Sequence, residues 1–403
     1  MFIRIAWRNI WRNPRRTIVV VSSIAVGLAG CALSMAINLG MMHEMVDTAI
    51  ATGLGHVQIH APGWDEQPEL ELRLPHGASS VVPMLDADPD VDAWAPRVRG
   101  QGLVASPRAS VGVSVLGIDP EREAGVSMIK SRLTEGEWFD GERRMVIGEG
   151  LARRLRADVG DKLVVSAQDL EGELTGQAYR ISGLFKTPSR DLDEGMALIP
   201  IAQAQKLFGL GDAISEVVVV AASRDLVDRM SERLSGEIGN RAEVRTWEQL
   251  EPILVYMVDS FDQMAWITYA AVFIAMAFGI ANVLLMAVYE RLREIGVMRS
   301  IGISRPRVVA MIVFESAVLT ALGVVAGALL TFVGVYLLRD GIDISAFANE
   351  LDAYGIATRI VPLVRTSDFT MPILIATVTA ALASLWPALR AARAQPAEAL
   401  RGH

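Results

Sequence analysis

Four stretches of this chain carry no Asp, Glu, Lys or Arg: Thr17–Met42, Gln263–Tyr289, Ser316–Leu338 and Phe369–Leu389. About 20 helical residues cross the hydrocarbon core of a bilayer, so each stretch is long enough to span. Buried helices of soluble proteins rarely run so far without a charge, and the pattern predicts four transmembrane helices. Between the first and second the pattern changes. Short strand-like runs appear at Val57–His60, Val111–Leu116, Arg144–Ile147, Lys162–Ser166, Tyr179–Phe185, Met196–Pro200 and Glu216–Val220. Helix-like runs alternate with them at Ser79–Asp86, Glu149–Leu155, Ile201–Leu207 and Ser223–Ile238. The polar stretch Gln168–Gln177 reads as the turn of a hairpin joining Lys162–Ser166 to Tyr179–Phe185. The fold class implied is a multi-pass α-helical membrane protein (four transmembrane helices) with a large α+β extracytoplasmic domain between helices 1 and 2.

The remaining segments fill in the order. Residues 1–16 read as an amphipathic surface helix, with Ile3, Trp7, Ile10 and Trp11 on one face and Arg4, Arg8 and Arg12 beside them. The first span covers 17–42 and the domain 43–250. In 251–289 the helical spacing of Ile253, Leu254, Met257, Val258 and Phe261, with no Gly or Pro between Ile253 and Gly279, predicts a stalk continuous with the second span. A junction (290–307), the third span (308–338), a loop (339–368), the fourth span (369–389) and a tail (390–403) complete the chain.

Charge orients these segments. The composition, 52% hydrophobic and 21% charged, is too apolar for an ordinary soluble domain and too charged for a protein that is all membrane. Arg4, Arg8, Arg12, Arg15 and Arg16 precede the first span. Arg291, Arg293, Arg299, Arg305 and Arg307 separate the second from the third, and Arg390, Arg393 and Arg401 follow the fourth. Only Glu290, Glu294 and Glu398 accompany these arginines, whereas the segment between the first two spans is strongly acidic. The positive-inside rule therefore places both termini and the junction in the cytoplasm and the large domain outside. The net charge of −8 sums two opposite faces and does not point to nucleic acid. Cys31, the single cysteine, excludes a disulfide within the chain. Leu28-Ala29-Gly30-Cys31 has the form of a lipoprotein cleavage box. Apolar sequence continues to Met42, so the stretch reads instead as a small-residue patch in an uncleaved signal anchor.

Candidate chemistry is sparse. There is no phosphate-binding Gly-x-x-x-x-Gly-Lys, and none of Lys130, Lys162, Lys186 and Lys206 follows a glycine. His56 and His60 share a strand face but lack a third ligand, so no metal site is expected. No hydrolase signature appears, and the expectation is a non-catalytic subunit with no cofactor of its own. Glu315 is the one carboxylate set into apolar sequence. It is expected to lie shallow and to pair with an arginine such as Arg305 or Arg307, in preference to a proton-relay role. Gly323 and Gly327 in the third span, and Gly27 in the first, permit close helix approach, within the chain or between two copies.

The junction Glu290-Arg291-x-Arg293-Glu294-Ile295-Gly296-x-x-Arg299-x-x-Gly302 resembles the coupling loop of permeases of the FtsX/MacB superfamily, the type VII ABC transporters. Phe314-Glu315 through Gly323 and Gly327, the ending Trp386-Pro387-Ala388-x-Arg390-Ala391-Ala392, and the start Ala6-Trp7-Arg8-Asn9-Ile10 are similar as well. Gly55-His56-Val57-Gln58-Ile59-His60 looks most like the lipoprotein-releasing LolC/LolE branch. The resemblance covers the whole chain. It implies a second permease copy, as homodimer or heterodimer, and a cytoplasmic ABC ATPase dimer that uses ATP and Mg. Glu290, Arg291, Arg293, Glu294, Arg299 and Arg305 would be contacts to that ATPase. The work implied is mechanotransmission, in which the outer domain moves and a lipoprotein or other amphiphile leaves the outer leaflet for a periplasmic carrier. The hairpin Ser166–Tyr179 contains no proline, unlike the hook by which one permease of that branch grips its carrier. A MacB-like driver of tripartite efflux and an FtsX-like regulator of a periplasmic hydrolase remain alternatives.

Overall fold

A computed structural model describes residues 14–64, 72–74, 81–139, 141–343, 359–364 and 367–393. The expected amphipathic helix, apart from its last residues, and most of the 339–368 loop and of the tail lie outside the described residues. The chain divides into two compact units: Met1–Met42 with Met257–Ile342 and Arg359–His403, and His43–Tyr256 with Asp343–Thr358.

The first unit holds the apolar helices. Pro14–Ala49, Pro252–Glu290, Arg305–Leu337 and Ser367–Arg393 contain the four predicted spans. Each is long and apolar enough to cross a bilayer. The segment expected as a stalk and the second span lie in one helix of 39 residues, Pro252–Glu290. In lipid the outward side chains are apolar too: Phe278, Phe332 and Leu382 are each about two-thirds exposed or more. Ile24, Tyr269, Phe273, Ile280, Leu319 and Ala376 fill the interior. Cys31 is buried there, inside the first helix. The hydroxyls of Thr320 and Thr331 donate to their own helix, at Ser316 O (2.8 Å) and Gly327 O (2.9 Å), which satisfies them without a partner helix.

The second unit is built on a sheet of ten strands. They are β1 (Val57–His60), β2 (Val91–Ala105), β3 (Ser110–Ile118), β4 (Leu133–Gly136), β5 (Arg144–Gly148), β6 (Lys162–Gln168), β7 (Leu174–Phe185), β8 (Met196–Pro200), β9 (Glu216–Ala221) and β10 (Glu243–Thr246). Six of them close into a barrel, because hydrogen-bonded neighbours run β2–β3–β8–β5–β7–β6 and back to β2. Closure removes edges that would otherwise be open to pairing. The 15-residue strand β2 serves two sheets. Its second half stays in the barrel, while Val91–Arg97 pairs with β9, which continues to β1 and β10. Inward valines and isoleucines such as Val98, Val113, Ile147 and Val165 form the core with Leu207 and Phe208 of the helix Ile201–Phe208. Gly100 of β2 faces Phe208, where an added Cβ would come within 2.3 Å of the ring.

Three expectations change here. Val91–Ala105, Leu133–Gly136 and Glu243–Thr246 are strands that no sequence pattern marked. The hairpin turn shrinks to Asp169–Glu173, since Leu174–Gln177 already pair with β6. Between the second and third spans the junction is largely helix, Leu292–Ser300, and not loop.

Candidate functional site

The chain leaves the second span at Glu290 and turns at Arg291 into the nine-residue helix Leu292–Ser300. That helix packs its Ile295 against Val288, Val308, Ile312, Ala388 and Ala391, which belong to the ends of the other helices. Two arginines pin it. The Nη1 of Arg291 donates to Glu315 at 3.3 Å, with both side chains nearly buried. Arg299 Nη1 donates to Ala392 O at 3.0 Å. This carbonyl lies in the last described turn of the fourth span helix, and Pro396, four residues on in the sequence, has no N–H to offer it. Arg390 completes the cluster, its guanidinium 5.6 Å from the Tyr289 ring and 5.7 Å from that of Trp386.

The expected partner of Glu315 is thus corrected. Arg305 and Arg307 are exposed, and the ion pair comes from Arg291 instead. The reason is geometric. Arg305 and Arg307 share a helix with Glu315 but sit ten and eight residues away, roughly 15 and 12 Å along the axis at 1.5 Å per residue. Side chains on one helix meet at three or four residues. Arg291 follows an antiparallel neighbour and arrives beside the carboxylate.

The six junction residues therefore divide. Arg291 and Arg299 turn inward and hold the helix. Glu290, Arg293, Glu294 and Arg305 are exposed. Arg293, Val297, Ser300 and Ile301 are all exposed along one side, and Ile301 is 77% exposed. Val297 and Ile301 are functional candidates that sequence reasoning missed. Their signal is the i, i+4, i+8 spacing from Arg293, which shows only once the segment is read as helix. Arg291, Glu294, Met298, Met311 and Glu315 line a cavity of about 260 Å³ beneath this helix.

Gly323 and Gly327 do bring helices together, within the chain. A Cβ at Gly323 would lie 2.7 Å from Ile24, and one at Gly327 would lie 2.9 Å from Leu28. Gly27 differs, because a Cβ there would meet Val272 and Met276 at ordinary contact distances of 3.7 and 3.8 Å.

A second cluster lies in the domain unit. Arg97, at the fork of β2, is fully buried. Its guanidinium meets Glu123 of the helix Pro120–Val126 through Nε (2.9 Å) and Nη2 (2.6 Å), and donates to Gly53 O. Gly53 belongs to the turn Ile50–Leu54 that ends the first span helix, and its φ of 129° suits glycine. Glu216 of β9 joins through Arg99 (2.9 Å) and Arg97 (3.8 Å). Burial pushes the Glu216 carboxyl up, but Arg99 and Arg97 outweigh it and hold it below the usual range. Burial pushes the buried imidazole of His60 down. Its Nε2 lies 2.8 Å from Gln58 Oε1 and its ring stacks on Trp64, while His56 Nδ1 accepts from the Ala221 N–H. Both histidines have structural neighbours, and among the described residues no cluster suited to a metal ion occurs.

Residues 17–237 match the MacB-like periplasmic core domain and residues 266–396 the FtsX-like permease C-terminal domain. The lipoprotein-releasing system transmembrane protein LolC of Neisseria meningitidis is 26% identical over 96% of this chain and 94% of its own length. LolE of Haemophilus influenzae is 23% identical over 99% of both. The macrolide export ATP-binding/permease protein MacB of Chlorobium luteolum is 23% identical over 99% of this chain but only 60% of its own length. The crystal structure of the periplasmic region of MacB from Actinobacillus actinomycetemcomitans covers 52% of this chain at 12% identity, with a TM-score of 0.38. The chain belongs to the FtsX/MacB superfamily of ABC transporter permeases and is LolC/LolE-like.

Proposed function

We propose that this chain is the permease half of an ABC system in which a separate ATPase dimer grips the helix Leu292–Ser300 from the cytoplasm and the domain between the first two spans moves in response. The observation that carries the reading is the two-sidedness of that helix. Arg291 and Arg299 tie one side to Glu315 and to the end of the fourth span helix, while Arg293, Val297 and Ile301 stand open on another. A force applied to the open side passes into the spans and is not absorbed by a loose loop. The domain supplies the matching end. β1, which comes after the first span helix in the chain, is hydrogen-bonded to β10, which precedes the second, and Trp247 N donates to His56 O at 3.0 Å. The chain then runs through a short helix to Pro252–Glu290, which carries residues of both units. ATP and Mg belong to the partner ATPase, and this subunit does no chemistry.

The cargo we infer is a lipoprotein or comparable amphiphile taken from the outer leaflet of the inner membrane. The likeness to LolC and LolE along nearly their full lengths supports this, and the MacB relatives carry a further portion that this chain does not cover. Two copies of the permease, alike or different, would pair around the cargo, and a periplasmic carrier would receive it. A photo-crosslinker at Ile301, in a Cys31→Ala background, tests the first step. It is expected to capture an ATP-hydrolysing subunit, and the same group at Arg339 is not. Capture from Arg339 and not from Ile301 would reject the reading.

A further inference from the structure

At the ends of the third and fourth span helices lies a groove of about 570 Å³. Its walls are apolar: Val309, Val313, Leu389 and Ala392. Two arginines flank it, Arg305 opening the helix Arg305–Leu337 and Arg393 closing the helix Ser367–Arg393. Both guanidiniums are exposed, and among the described residues neither meets a carboxylate. Their neighbours Arg291 and Arg299, by contrast, are engaged inward. Arg305 also stands at the positive end of a helix dipole, where a cation is unfavourable and an anion is stabilised. Ser304 precedes it without a side-chain cap. An apolar trough flanked by two exposed arginines matches a molecule with an anionic head and a hydrocarbon tail.

We propose that this groove holds an anionic phospholipid of the leaflet on the arginine-rich side. Arg305 and Arg393 clasp the phosphate at headgroup depth, and an acyl chain lies along Val309, Val313 and Leu389. Basic pockets between membrane helices select anionic headgroups by this combination of charge and depth. Ala392, in the wall, is also the residue whose carbonyl receives Arg299, so the bound lipid abuts the contact that holds the helix Leu292–Ser300. The site rests on the four helices spanning a bilayer and not on the ATPase, so its test is independent of the coupling role.

The full chain is reconstituted in nanodiscs with equal phosphatidylglycerol and phosphatidylcholine, and retained lipid is counted by native mass spectrometry. The wild type should keep phosphatidylglycerol in preference. Arg305→Gln and Arg393→Gln should each weaken retention about fivefold, the worth of roughly one surface cation. Val313→Phe, which fills the trough without changing charge, should also weaken it. Arg307→Gln removes an exposed charge outside the groove and should leave retention unchanged. Equal retention of the two lipids by the wild type would overturn the site. So would an Arg307→Gln loss as large as that of Arg305→Gln, which would mean diffuse attraction. Displacement by inorganic phosphate, or loss of the lipid when a second protein covers the groove, would overturn it too.

Discussion

Arg97 is the most heavily committed side chain in the domain, and its cost explains its neighbours. A buried guanidinium is tolerable only when carboxylates and carbonyls replace the water it loses, and here Glu123, Glu216 and Gly53 O do so. Removing one partner leaves charge stranded. Glu123→Gln should therefore destabilise the domain by about 3 to 5 kcal/mol, and Arg97→Met with Glu123→Met should recover part of it, read by thermal unfolding of the full chain. Recovery that fails entirely would mean the pair shapes the turn at Gly53 and does not merely neutralise itself. Acid should act on the same cluster in one direction. His60 is held neutral by burial, so the unfolded chain binds its proton first, and stability falls as pH drops below about 6.5. Glu216 is held ionised, so its contribution is present above the ordinary carboxylate range and is lost as pH falls further. The unfolding midpoint of the wild type should thus decline from about pH 7 to about pH 5.5, and His60→Gln should flatten that upper part of the slope. A midpoint flat over this interval in the wild type would dismiss the role of His60.

At the scale of elements, hydropathy made the four spans plain because lipid and core both demand apolar side chains, and a run without charges leaves no other reading. The strand β2 was hidden for the opposite reason. Pro96, Arg97, Arg99, Gly100 and Gly102 break every strand pattern, yet most are explained by something distant in sequence: Glu123 and Glu216 for the arginines, the Phe208 ring for Gly100. The half of the hairpin nearest the turn was hidden because residues 175–178 are polar or small and Leu174 is exposed, so no alternation of apolar and polar positions marks them. The helix Leu292–Ser300 reads as a loop in sequence because its arginines and Gly296 obscure a buried face that only the span ends complete. Of the candidate site, then, the segment was legible, but not which residues face in. That distinction gives a test. Arg293→Glu with Ile301→Asp should reduce association with the ATPase at least about tenfold, near the loss of 1.4 kcal/mol, while leaving the fold intact. Arg291→Met should instead lower thermal stability, because it strands Glu315 in a nearly buried position. If Arg291→Met weakened ATPase association and left stability unchanged, the division of inward and outward residues would be wrong.

For the whole molecule, transmission depends on continuity between the ends that receive and deliver force. The helix Pro252–Glu290 is the element best suited to this. It holds 39 residues without a break, opens two residues after the short helix Trp247–Leu250, and ends where Arg291 turns toward Glu315. A helix resists bending because every turn is hydrogen-bonded, whereas a run of glycines costs about 1 kcal/mol per residue in helix stability and frees the backbone. Inserting three glycines after Val258 should therefore separate two properties that a merely structural helix would lose together. ATPase association, carried by Arg293, Val297 and Ile301, should persist. The effect of nucleotide on the domain, read as a change in protease sensitivity or in the distance between spin labels within the domain, should disappear. Three alanines at the same point keep the helix but rotate its downstream part by about 300°, which offsets its faces by only about 60°, and this variant should retain most of the response. A glycine insertion that left the nucleotide response unchanged would exclude this helix as the transmitting element. The remaining route would then be the Pro14–Ala49 helix, whose continuation into the turn at Gly53 is held by Arg97.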